Sequence, residues 1–147
     1  MPWDVAEALA LDAAEIARLQ HLGPLLDKIE GVAQAAVADN FAGEWDGASG
    51  WAPLAESTQE DRVRRGYSAA HPILQRTGEL ASTIDYRHDL GADDAAVEIE
   101  PRADYAAFHQ EGTSKMPARP FVALSERDQE RIGEDIIAFL EGDALPP

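Results

Sequence analysis

The sequence predicts an α+β domain: an N-terminal helical hairpin, a small antiparallel β-sheet, and a C-terminal helix packed on the sheet. Three observations predict it. Apolar residues recur at helical spacing up to about residue 42, two short runs with period-two alternation flank a Gly-Asp turn, and a Ser-led amphipathic stretch closes the chain. Helices, then strands, then a helix do not alternate regularly, which argues against a doubly wound parallel sheet.

Residues 4–20 place Val5, Leu9, Ile16 and Leu19 near one stripe, with acids between them, as an amphipathic helix does. Gly23-Pro24 interrupts this pattern. A second helix is expected from Pro24 to Phe41, with Leu25, Leu26, Ile29, Val32, Ala36 and Val37 inward, and Pro24 fits its first turn. Residues 42–56, with Gly43, Gly47, Gly50 and two tryptophans, read as a loop. Ser57 stands three residues before Glu60, a capping-box spacing, and predicts a short helix through Arg65 with Gly66 as its C′ residue.

Residues 71–81 predict a turn of helix broken at Thr77-Gly78. In 83–87, Ile84 and Tyr86 alternate with polar residues, and in 96–100 Val97 and Ile99 do so. Joined by a Gly91–Asp94 turn, these runs predict an antiparallel hairpin. Residues 103–124 carry no clear period, and Gly112 to Lys115 read as a loop. Ser125 with Asp128 then opens a final helix to about Leu140, expected to bury Ile132, Ile136, Ile137, Phe139 and Leu140 and to end at Gly142. One domain spanning 1–147 follows, in three parts: 1–42, 43–124 and 125–141.

A hydrophobic fraction of 45% over 147 residues supplies one core. With no cysteine, disulfides, thiolate catalysis and cysteine-based zinc sites are excluded. The opening Met1-Pro2-Trp3-Asp4 lacks the basic and apolar regions of a signal peptide, and no run of about 18 apolar residues predicts a membrane span. Twelve basic residues stand against 28 acidic ones, a formal net charge of −16 spread along the chain. Such a surface repels nucleic acid and anionic membrane. It serves solubility equally well, and it also suits an acidic mimic of DNA that occupies a host DNA-binding protein.

Residues of catalytic type do not assemble into a motif. His109-Gln110-Glu111 matches the opening His-x-Glu of zinc deaminases, but that site needs cysteine ligands. His21, His71, His88 and His109 never pair at i, i+4, so an HExxH zinc site is absent. Gly112-Thr113-Ser114-Lys115 lacks the glycine order of a phosphate loop. A set of Ser114, His109 and Asp104 can be drawn, without a nucleophile-elbow sequence to support it. The expectation is a protein that is not an enzyme and needs no cofactor or metal.

Four segments, in order, carry a resemblance. They are Trp51-Ala52-Pro53-Leu54 with Ser57-Thr58 and Arg62; Ile73 to Leu80 (ILQRTGEL) with Thr83-Ile84; Tyr105 to Gly112 (YAAFHQEG); and Met116 to Phe121 (MPARPF) before a Ser-led helix. Together, over about residues 40–140, they resemble the phage virion morphogenesis (tail completion) family of Mu-like phages and prophages. The basic stretch that often precedes I-L-x-x-T-G there is shortened here to one small cluster, and the first helix, up to Gly23, lies outside the match.

The resemblance implies a structural protein of the virion, assembled in the host bacterial cytoplasm, that completes the tail or joins it to the head as a neck or tail-terminator component. It implies a ring of copies, a hexamer among the candidate sizes, contacting other phage head, neck or tail proteins. DNA would pass through without specific binding, and no membrane is involved.

On that basis the expected interface residues are Trp51, Arg62, Arg64, Arg65, Arg76, Tyr105, His109, Pro117, Arg119, Pro120 and Phe121. Pro117 and Pro120 stiffen a segment that delivers Phe121 to an apolar surface, and Arg119 offers a planar fork for a carboxylate. The same segment serves equally by crossing the domain to start the last helix. Arg62, Arg64, Arg65 and Arg76 form a cationic patch that meets the acidic surface of a neighbour or else lies solvated. If it meets a neighbour, exchanging Arg62 and Arg65 for Glu weakens assembly while the subunit stays folded.

Overall fold

A computed structural model describes residues 13–91 and 94–145. Its elements, in order, are α1 (Ala13–Leu19), α2 (Gly23–Gly43), α3 (Glu56–Arg64), α4 (Glu79–Ser82), β1 (Ile84–Leu90), β2 (Ala95–Pro101), α5 (Ala106–Glu111) and α6 (Glu126–Glu141). The predicted α+β class is what the chain adopts. The part of the first predicted helix before Ala13, and Ala92-Asp93 of the predicted turn, lie outside the described residues.

Helix α2 is the spine. Leu25, Leu26, Val32, Ala33, Ala36, Val37, Asn40 and Phe41 are buried along it, a stripe at i, i+3/i+4 spacing. It ends at Glu44, a non-glycine residue in the left-handed region at φ 52°. The strain has a visible compensation. Glu44 Oε1 accepts the Ile73 N–H at 2.8 Å and Oε2 lies 2.6 Å from His71 Nδ1, so a glycine there would lose the clamp on residues 71–73.

Strands β1 and β2 pair antiparallel with Ile84 opposite Pro101, Tyr86 opposite Ile99 and His88 opposite Val97. These residues face inward toward α2, while Arg87 and Glu98, opposite each other on the outer face, form an ion pair. His88 reaches back to α2, with Nδ1 2.6 Å from Glu30 and Nε2 3.5 Å from Asp27. Val37, Phe41, Trp51, Ile73, Leu80, Ile84, Ala106 and Phe121 close one core between α2, the sheet and the loops. Phe41 stacks edge-on to Trp51 with ring centroids 5.9 Å apart, and lies 5.5 Å from Phe121.

Three expectations are corrected, and one unassigned stretch gains a helix. The N-cap of α3 is Ala55, not Ser57, and no side chain caps it, because the helix begins two residues earlier than the Ser-Glu spacing suggests. Residues 71–78 form turns, and the helix starts only after Gly78, at φ 77°. In 103–124 a six-residue helix, α5, was hidden by its shortness and lack of a cap. Finally, α6 packs chiefly on α2 and α1 rather than on the sheet.

The start of α6 is as predicted: Asp128 N–H donates to Ser125 Oγ at 3.1 Å and Ser125 N–H to Asp128 Oδ2 at 2.9 Å. The face it buries is not. Asp135 is buried, while Ile136 and Ile137 are exposed. A helix turns 100° per residue, so a face centred on buried Asp135, with Ile132 and Phe139 half-buried beside it, leaves the two isoleucines turned outward.

Candidate functional site

The last two resembling segments build one device. The helix α5 ends at Gly112 (φ 75°), where any Cβ would come within 2.6 Å of the Ala118 nitrogen. The chain therefore turns sharply and comes back against α5, with the Arg119 N–H donating to the His109 carbonyl at 2.7 Å. Residues 119–123 then run as a strap through the molecule. Gln110 Oε1 accepts the N–H groups of Phe121 and Val122 at 3.1 and 3.0 Å, and its Nε2 donates to the Val122 carbonyl. From the other side, buried Asn40 Nδ2 donates to the Phe121 and Ala123 carbonyls.

Trp51 and Arg119 tie the tryptophan loop to this strap. Trp51 Nε1 donates to the Pro120 carbonyl at 2.8 Å. Arg119 donates from Nε to the Ala52 carbonyl and from Nη2 to the Pro53 carbonyl, both at 2.7 Å. Its planar fork thus grips two backbone carbonyls, where a carboxylate was expected. Trp51, Arg119 and Phe121 are buried inside the subunit, Pro120 is half-buried, and Pro117 is exposed. Asn40 and Gln110 were not singled out in the sequence. An asparagine on the apolar stripe of α2, between Val37 and Phe41, was the available signal.

Beside the strap lies a cleft of about 370 Å³ that brings together Arg62, Arg76, Tyr105 and His109 from three of the four resembling segments. Leu54, Leu74 and Leu80 supply its apolar wall. The predicted cationic patch divides here. Arg62 turns inward and is 4% exposed, while its neighbour Val63 is 58% exposed. Arg64 and Arg65 stay outside and share Asp61, at 3.3 and 2.8 Å. Arg76 lies 3.9 Å from the same carboxylate and stacks over the Tyr67 ring. Exchanging Arg62 for Glu would therefore strike the interior, so only Arg64, Arg65 and Arg76 test an exposed patch.

Two of the residues lining the cleft each carry a buried polar atom without a partner: Arg62 Nε and His109 Nδ1. The His109 ring meets Tyr105 edge-on at 5.8 Å, and the Tyr105 hydroxyl donates to Glu79 at 3.0 Å. Burial first, and the Arg119 charge second, hold the His109 pKa below the usual histidine value. The folded state thus favours neutral imidazole. The stability His109 contributes is full above about pH 6.5, the unfolded value, and is lost as pH falls through the lower folded value. His109→Gln is expected to flatten the fall of the urea midpoint between about pH 7.5 and about pH 5. An unchanged slope would place the titration elsewhere.

Asp104 lines a different cleft from His109, and Ser114 sits exposed in the Thr113–Met116 turn. Among the described residues, His and acidic side chains form no group able to hold a metal ion, and no described helix is long and apolar enough to cross a membrane.

The model of the phage virion morphogenesis family matches residues 5–141 of this chain. The chain belongs to that family. A curated relative, the Mu-like prophage FluMu G protein 2 of Haemophilus influenzae, is 34% identical over 129 residues, covering 82% of this chain and 80% of the relative. No solved structure matches. The family match begins at residue 5, so the opening helix, which lay outside the motif resemblance, falls within the family's pattern. Membership in the phage virion morphogenesis family gives the coarse role: a structural or assembly protein of a phage or prophage particle.

Proposed function

We propose that this chain completes the phage tail or joins it to the head, as a neck or tail-terminator component, acting as a ring of identical copies around the DNA channel and without enzymatic activity. The observation that carries the reading is the family match over residues 5–141. The structure adds physical support. The strap, clamped by Asn40, Gln110, Trp51 and Arg119, makes a stiff subunit that loses little entropy when a neighbour docks. A ring uses heterologous contacts, one face meeting a different face of the next copy. Exposed Arg64, Arg65 and Arg76 on an otherwise acidic surface supply one such face. A lumen lined by carboxylates from a chain of net charge −16 lets DNA pass without sticking.

Interrupting the gene in an inducible prophage tests the role. Electron microscopy of the lysate should show DNA-filled heads and separate tails, with joined particles restored by a plasmid copy. Normal joined particles without the protein would refute the proposal. Co-purification of a host DNA-binding protein in place of phage structural proteins would favour the DNA-mimic reading.

A further inference from the structure

We propose that the Arg62–His109 cleft is a socket for a carboxylate side chain from a second copy of this chain. The proposal rests on the self-assembling reading above. Its basis is a contrast between two arginines of nearly equal burial. Arg119, 5% exposed, spends Nε and Nη2 on the carbonyls of Ala52 and Pro53. Arg62, 4% exposed, leaves Nε unmet, and among the described residues it makes no ion pair. A buried guanidinium with an idle donor is costly unless something meets it in the working state.

The surroundings select the ligand's chemistry. His109, whose Nδ1 is also buried and unmet, lines the same cleft, and Arg76 adds a second positive charge to its wall. The cleft's own acid, Glu79, is engaged by the Tyr105 hydroxyl. Leucine side chains line the wall, so the fitting group is an anion on a short apolar stem, as in Asp or Glu. A second copy offers such groups in abundance, with 28 acids against 12 bases.

The test uses the whole chain with Arg76→Lys, which puts an amine at the cleft that a zero-length carbodiimide can couple to a touching carboxylate. Equal amounts of nitrogen-15-labelled and unlabelled protein are mixed, cross-linked and mapped by mass spectrometry. The expected result is mixed-isotope peptides joining position 76 of one copy to an acid of another. Thr58→Trp, at an exposed position on the cleft's edge, should block the cross-link even if Arg62→Gln fails to fold. If Arg62→Gln folds, it should weaken self-association about tenfold or more by sedimentation equilibrium.

Cross-links confined to Asp61 of the same copy, in a chain that still self-associates, would overturn the socket and leave the ring reading standing. A wild-type chain that stays monomeric across a concentration series would overturn both. Loss of binding to a short DNA duplex on Arg62→Gln, with self-association intact, would overturn the socket in favour of a phosphate site.

Discussion

Replacing Phe121 with alanine is expected to destabilise the subunit by about 3–5 kcal/mol, the range for truncating a fully buried aromatic ring. The ring is 0% exposed and packs against Phe41 at the centre of the core. The strap on either side of it is fixed by the side chains of Asn40 and Gln110 and, through Pro120, by Trp51. The cavity therefore cannot close by a simple slide of the backbone, which puts the cost toward the upper part of that range. Domains of this size are stable by only about 5–15 kcal/mol, so the variant should fold marginally. Urea unfolding with an unchanged m-value gives the loss directly. A loss below about 1 kcal/mol would mean that the strap is not part of the core.

Replacing Asp135 with leucine is expected to act in the opposite direction, stabilising the subunit by about 1–3 kcal/mol. The residue is 0% exposed, and neither carboxylate oxygen meets a donor. Leucine keeps the branched shape of the aspartate and removes the need to desolvate those oxygens, while its larger volume adds a packing cost that draws the gain toward the lower end of that range. Since α6 meets α2 and α1 along this face, an apolar residue there extends an existing contact. Thermal and urea midpoints should both rise. A fall in both would show that a donor reaches the carboxylate, and that Asp135 belongs to a polar network of the folded subunit.

Much of the fold was legible because local rules and tertiary structure agree. The apolar stripe of α2, the alternation of β1 and β2, and the Ser125–Asp128 box each specify their element without knowledge of the rest. The site was legible only as a set of residues. Trp, Arg, Pro and Phe are the types that anchor interfaces, and they also serve as buried internal clamps. Whether Trp51, Arg119 and Phe121 face in or out depends on the return of the chain after Gly112, which no local pattern encodes.

Arg62 and Asp135 defeat pattern reading for a sharper reason. At both places the helix buries the charged residue and exposes an apolar neighbour, Val63 or Ile136 and Ile137. Such inversions of the expected pattern concentrate where function outweighs subunit stability. For Arg62 the inversion coincides with a cleft whose second buried polar atom is also unmet, on His109.

The central claim, that this chain is a ring component at the joint between head and tail, is tested most directly by cryo-electron microscopy of the intact virion. The account predicts a closed ring of copies at the head-proximal end of the tail, each with the α2 spine, the two-stranded sheet and the strap, and with an acidic side chain of the next copy in the Arg62 cleft. A particle whose joint is fully built from other chains, with this fold nowhere in it, would contradict the account.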